Sequence, residues 1–460
     1  MASKLERVFR GMVYILPGVL FFSYWPLMHF GASESMNFEI SLPLIWLVVF
    51  DLLVVVMLGR RKKFWKGIGR GWMWLLFPLW LTVSVLWSMN TLRGVLTVGI
   101  LWLIYLAVYG FVSLKSVFHE VGFREKFWKV FFGTALVACV WCWAQCVLDL
   151  VGVPREFSLM CAGCTYAMFG FPHPCGWAIE PQFMGNLLLA PVLIAGYFAL
   201  KNKRYWWVFL VLAATLFLTF SRGAIYAFVV GMVVMTVWEL VRRKSWRILG
   251  MWVVVGLAFL FTLDAQGIMA AVSPTNDTYT TGVAKVLNHL TLGVVDVREE
   301  VEPVSGEVVE ANEVGEVTEV TEAVFDGYVA ESTDTRLRLS GAAMEVWSGD
   351  LVTAVFGVGL GGAGQAMYVN GLSPAPKEIV QNQYVSLLLE TGVVGVALAL
   401  MTLILIVRVV WKSEMRVMVL SLLVAYGVTL LFFAGLPNAL QIYLLPGLVM
   451  VVGFENKTKV

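Results

Sequence analysis

Residues able to do chemistry are sparse in this chain, and their settings narrow what each can do. In LFLTFSRGAIYAF one arginine, Arg222, interrupts an otherwise apolar stretch. A charge at bilayer depth costs about 3 kcal/mol or more, so such a residue is a functional candidate. A guanidinium grips phosphate through a bidentate fork, which makes a bound anion the economical use of Arg222; snorkelling to lipid headgroups is the competing one. Two further arginines, Arg336 and Arg338, stand in TRLRLSGAAMEVW, where Arg338 opens a helical pattern and Arg336 lies toward the flexible side. Either can be a second cation, or both can simply solubilise a loop. Gln381 and Asn382 precede an apolar run in QNQYVSLLLETGVVG. An amide can orient a hydroxyl or a phosphate but takes no proton near neutral pH. The groups that could take one are Glu180, then His173, Asp334 and His289. Glu180 ranks first because its Glu-Pro joint fixes it at a helix start, where plain pairing with the helix dipole is the alternative.

Other groups read as structural. Glu390 lies within the run that follows Asn382 and fits a partner among the arginines or a backbone group. The turn FGVGLGGAG resembles a phosphate cradle but lacks the Lys-Ser/Thr of a nucleotide loop, so its glycines fit a tight turn. Cys139, Cys142 and Cys146 share one face of an apolar run and suit packing. Cys161, Cys164 and Cys175, with His173 nearby, allow a disulfide first, then free thiols, then a metal.

These residues must be positioned by membrane-spanning helices. The chain has 460 residues, 59% hydrophobic and only 14% charged, which excludes a cytosolic enzyme, a disordered protein and a small disulfide scaffold. Twelve apolar runs are long enough to read as spans: Met12 to His29, Ile40 to Leu58, Trp72 to Trp87, Val95 to Val112, Val130 to Val151, Phe183 to Leu200, Trp206 to Phe220, Ala224 to Leu240, Ile248 to Leu263, Val385 to Val407, Val417 to Phe433 and Leu440 to Val452. With the amino terminus inside, 25 of the 33 Lys/Arg fall on inner segments and only Arg93, Arg155 and Arg222 on short outer loops. The positive-inside rule therefore predicts both termini in the cytoplasm. Residues 1–264 then hold the first nine spans, 265–379 form a long extracytoplasmic loop, and 380–460 hold the last three. That loop carries 17 Asp/Glu against five Lys/Arg, and its Val/Glu repeat near 299–331 reads as a disordered acidic insertion. The expected fold is an all-α, polytopic bundle.

Taken together, SRG, TRLRLSGAAMEVWSGDLVTAVFGVGLGGAG and QNQYVSLLLETGVVGVALAL resemble the O-antigen ligase and polymerase family of membrane glycosyltransferases. FGFPHPCGWAIEPQFMGNLLLAP is similar to that family's segment before a helix, so the resemblance covers about 170–395. It implies a GT-C-like enzyme that moves a glycan from an undecaprenyl pyrophosphate donor to a glycan, lipid or protein acceptor. The reaction would run on the outer face of the cytoplasmic membrane, with no metal, no cofactor and no nucleic acid. By position, Arg222 and Arg336 or Arg338 would bind the pyrophosphate, while Glu180, Gln381 and Asn382 would serve catalysis. The family's His-Asn pair is Gln381-Asn382 here. Either the base is elsewhere, or water accepts a late proton, or activity is lost. The alternatives are a lipid-linked oligosaccharide flippase, although no second copy of these motifs is present, and an inactive relative that still binds the carrier.

Overall fold

The computed structural model describes residues 4–22, 26–33, 36–60, 72–120, 122–275, 277–291, 334–435 and 439–453. The acidic insertion near 299–331 lies outside the described residues. The chain is an all-α polytopic membrane protein. Among the described residues its larger helices are α1 (Lys4–Phe21), α2 (Leu42–Arg60), α3 (Trp72–Trp87), α4 (Thr91–Ser113), α5 (Phe123–Leu150), α6 (Pro181–Lys201), α7 (Trp206–Leu218), α8 (Arg222–Trp238), α9 (Arg247–Val272) and α10 (Tyr279–Leu290). Then come α11 (334–348), α12 (Leu351–Phe356), α13 (Ala363–Val369), α14 (Gln383–Trp411), α15 (Arg416–Thr429) and α16 (Leu440–Val452). Seven helices among the described residues are long and apolar enough to cross a membrane: α2, α4, α5, α6, α9, α14, and α8 with the π-helical turn Glu239–Arg243 that continues it. Three shorter apolar helices are α3, α15 and α16.

Each of the twelve apolar runs falls at least partly on a helix, with one departure at the first. There the helix stops at Phe21, and Pro26–Ser33 (β1) pairs antiparallel with Met36–Ser41 (β2). Hydropathy does not tell an apolar helix from an apolar strand, so it overestimates the helical part of this run.

The core centres on α6, which is buried at every position from Met184 to Tyr197. A helix apolar on all sides needs partners on all sides. Here α5, α7, α8 and α15 supply them. By contrast α14 packs on α12 and α3 and leaves Val393, Leu400, Leu403 and Ile404 exposed, as suits a lipid-facing helix. The described part of 265–379 is helical as well: α9 runs on to Val272, α10 folds back on it, and α12 and α13 pack against α14.

Candidate functional site

Three helices begin close together at one end of the bundle. At the start of α6, Pro181 follows Glu180 in the position where a missing N–H costs nothing. Before α14, the side chain of Asn382 accepts the backbone N–H groups of Tyr384 and Val385 at 3.0 and 3.2 Å. Arg222 itself is the first residue of α8, after the joint Thr219–Ser221 that closes α7. The end of α15 ties two of these starts together. Leu430 accepts the backbone N–H of Gln383 at 2.9 Å, and Phe432 accepts from Gln182 Nε2 at 2.8 Å. A Cβ added at Gly185 would come within 2.8 Å of Ala224 and 2.9 Å of Ser221, so α6 must be bare there for the joint to sit on it.

The joint is strained. Phe220 has φ of 58°, a left-handed conformation that bulky residues rarely adopt and that persists only when its surroundings enforce it. His289 stacks on its ring at 4.1 Å and 13°, and Phe171 meets it edge-on at 5.5 Å. The turn these contacts hold leads directly into Arg222, which is only 8% exposed. A guanidinium this buried acts in a weakly screened environment, where charge interactions are strong.

A second guanidinium is clamped beside it. Arg336, on α11, donates through Nε to Gln381 Oε1 at 2.8 Å and through Nη2 to Gln182 Oε1 at 3.2 Å. Arg336 also lies within electrostatic reach of Glu180 and of His289, and Arg222 acts on the same imidazole. Those influences place Arg222, Arg336, Glu180, Gln182, Gln381 and His289 in one neighbourhood. Glu180 stays exposed at the rim, yet the protein around its carboxyl raises its pKa, against the pull of Arg336. His289 is held well below the usual histidine range by burial first and then by Arg222, so it is neutral at pH 7. Burial also lowers His173 to about 4; its ring sits 4.7 Å from that of Phe169.

α10 presents His289 because it is firmly anchored. Lys285 and Asp277 form an ion pair at 3.1 Å with both side chains 3% exposed, and the Tyr226 hydroxyl donates to the Leu290 carbonyl. The carboxylate of Asp277 occupies the space that a Cβ on Gly170 would need, joining α10 to the segment before Glu180.

Of the residues singled out in the sequence, the structure gathers Arg222, Arg336, Glu180, Gln381 and His289. It separates Arg338 from Arg336: two residues turn about 200° round a helix, and Arg338 is exposed. Asp334 is exposed too. The side chain of Asn382 is committed to capping α14. Gln182 was not singled out, and its only signal was a polar residue in the first turn of an apolar helix. The Lys285–Asp277 pair gave no signal, since neither residue stands inside an apolar run.

The glycine turn has a structural role. Gly357 has φ of 76°, and a Cβ there would strike the backbone of Glu390. At Gly392, with φ of 64°, α14 is broken; the N–H groups of Val358 and Gly359 donate to the carbonyls of Leu389 and Glu390, each at 2.9 Å. The backbone at Gly361 and Ala363 passes close to the Glu390 carboxylate, with Arg93 within electrostatic reach. The turn thus wraps a carboxylate of its own protein.

Cys161 and Cys164 form a disulfide. Cys175 is a buried free thiol whose sulfur lies within 4.8 Å of both. Cys139, Cys142 and Cys146 are free and buried along α5.

Residues 207–400 match the O-antigen ligase family. That stretch runs from α7 through most of α14 and contains Arg222, His289, Arg336, Gln381 and Asn382; Glu180 and Gln182 precede it. No curated protein matches the chain.

Proposed function

On the premise that the chain is a member of the O-antigen ligase family through residues 207–400, we propose that it transfers or polymerises a polysaccharide from an undecaprenyl pyrophosphate-linked donor. The acceptor is a glycan, a lipid or a protein at the outer face of the cytoplasmic membrane, and both termini are cytoplasmic. One observation carries this reading: a buried Arg222 and a clamped Arg336 both act on His289 where three helices begin. Helix starts carry partial positive charge, so this end of the bundle favours a multiply charged anion. A donor whose pyrophosphate sits at the surface and whose polyprenyl chain stays in the bilayer suits a site at the mouth of a helix bundle.

The chemistry follows from the groups present. The acceptor hydroxyl oxygen attacks the anomeric carbon as that carbon's bond to the pyrophosphate oxygen breaks. The leaving pyrophosphate keeps the electron pair. Arg222 and Arg336 stabilise the charge it gains, the kind of electrostatic help that dominates many enzymatic accelerations. Glu180 accepts the hydroxyl proton, and its raised pKa brings it closer to neutral pH, where a base works best. Gln381 cannot replace it in this role. It holds Arg336 instead, at 2.8 Å. Neutral His289 adds no further charge to the two guanidinium groups before the donor arrives. No metal or cofactor takes part in this scheme.

The test is turnover of a radiolabelled lipid-linked glycan by the purified full-length protein, beside Arg222→Ala. We expect glycan transfer by the wild type and loss of it, with retained folding and membrane insertion, in the variant. Wild-type turnover unaffected by Arg222→Ala would refute the assignment, and donor translocation without bond cleavage would favour the flippase.

A further inference from the structure

At the opposite end of α8 lies a second basic site with a different construction. The helix ends in the π-helical turn Glu239–Arg243, a form frequent at functional sites. Beside it, the loop between α14 and α15 brings Lys412, Ser413, Glu414 and Arg416 round a recess of about 450 Å³. Trp238 lines it, with Arg416 over the ring at 5.1 Å and Arg242 at 5.9 Å, while Trp411 meets it edge-on at 5.7 Å. Arg243 is engaged by the buried Glu239 at 3.1 Å. Among the described residues, no carboxylate comes within salt-bridge distance of Arg242, Lys412 or Arg416. Four cations therefore line one recess, three of them without such a partner, and among the described residues Glu414 is the only acid in its lining.

The surroundings indicate what such a recess would hold. Val237, Val241, Val409 and Trp411 are exposed beside it, so an apolar surface adjoins the cationic one. A free phosphate would use the charges and none of that surface. A lipid would use both, with its phosphate among the cations and its chains along α8 and α14. The tryptophans suit the headgroup level, where amphipathic rings collect. The recess is also separate from the site at Arg222. Twenty helical residues from Arg222 to Arg242 span about 30 Å, the thickness of the hydrocarbon layer. One pyrophosphate cannot occupy both ends.

We propose that the recess formed by Trp238, Arg242, Lys412 and Arg416 binds the phosphate headgroup of an anionic phospholipid in the leaflet opposite the candidate active site. Basic pockets between transmembrane helices recognise such headgroups, with each arginine or lysine adding roughly a fivefold gain in affinity.

The experiment uses delipidated full-length protein in detergent. Native mass spectrometry follows binding of phosphatidylglycerol, phosphatidylcholine and inorganic phosphate to the wild type and to the Arg242→Gln/Arg416→Gln double variant. Both substituted side chains are exposed, and an unchanged thermal midpoint verifies that the variant is folded. We expect the wild type to prefer phosphatidylglycerol over phosphatidylcholine and the variant to bind it about thirtyfold more weakly. Arg242→Lys/Arg416→Lys, which keeps both charges, should retain most of the preference. Equal binding of the two lipids, or no loss in the double variant, overturns the proposal. Inorganic phosphate binding as tightly as the lipid overturns its lipid assignment. Glycan transfer is not among the readouts, so a failure here and a failure of the enzyme reading are told apart.

Discussion

Gln381 is expected to act through Arg336, and that role can be isolated from any direct role toward the acceptor. In Gln381→Leu the guanidinium loses its 2.8 Å acceptor while the weaker 3.2 Å bond to Gln182 remains. A hydrogen bond to a charged group contributes about 1.5–3 kcal/mol, and the partial exposure of both partners places this one near the lower end. A loss of about 1.5 kcal/mol in transition-state binding is roughly a tenfold fall in kcat/KM. The longer bond should matter less, about threefold in Gln182→Leu. The deciding measurement is the double-mutant cycle with Arg336→Ala, assayed as turnover of lipid-linked glycan. If Gln381 works by holding Arg336, Gln381→Leu costs almost nothing once Arg336 is gone. An equal tenfold loss in both backgrounds would refute the clamp and assign Gln381 a direct contact with substrate.

The other expectations rest on separate features of the site. Glu180→Gln should lower kcat by about 10²–10⁴-fold. Because the carboxyl pKa is raised, wild-type activity should fall at a higher pH than an ordinary glutamate would give, as protonation removes the base; a pH–rate profile without this limb in the wild type would exclude Glu180. His289 should be neutral at pH 7, and Arg222→Met should raise its titration midpoint by removing a repelling cation. With four histidines in the chain, ¹⁵N-histidine labelling resolves this directly, and an unmoved midpoint would contradict the placement of Arg222 beside the ring. Gly357→Ala forces a Cβ onto the Glu390 backbone at positive φ and should cost about 1–3 kcal/mol, read as a lowered thermal midpoint. Gly341→Ala, on a helix with open space at its Cβ, should be neutral or slightly stabilising; equal losses at both positions would refute the steric account.

What the sequence revealed and what it concealed follow from different physics. Apolar helices are legible because hydrocarbon demands long apolar runs, so all twelve runs fall at least partly on helices, yet among the described residues only seven of these helices are long and apolar enough to cross a membrane. The first run failed partway because hydropathy reports transfer energy and not backbone geometry, so an apolar stretch that turns to strand reads like one that stays helical. Arg222 was legible for a related reason: a charge bordered by apolar residues costs energy wherever it lies. Arg336 and Arg338 were not separable, since a loop sequence has no period from which to read a facing side. Once 334–348 is a helix, two residues apart means nearly opposite faces, and only Arg336 meets Gln182 and Gln381.

The same reasoning explains why the amides were harder to interpret than the cations. Asn382 and Gln381 are adjacent, and both could be read as polar groups awaiting a substrate. In the fold one accepts two N–H groups of the helix it begins and the other accepts from a guanidinium. A helix start creates unpaired N–H groups, which explains the cap; nothing local creates the partner of Gln381, because Arg336 lies 45 residues away. Glu390 is a parallel case. A carboxylate inside an apolar run looks as costly as Arg222, yet the fold brings Arg93 and the backbone of a turn that begins about 30 residues earlier close to it. A buried charge in the sequence therefore identifies a place where the fold must supply a partner. Whether that partner is the protein, as for Glu390, or a ligand, as proposed for Arg222, depends on what the folded chain brings to it.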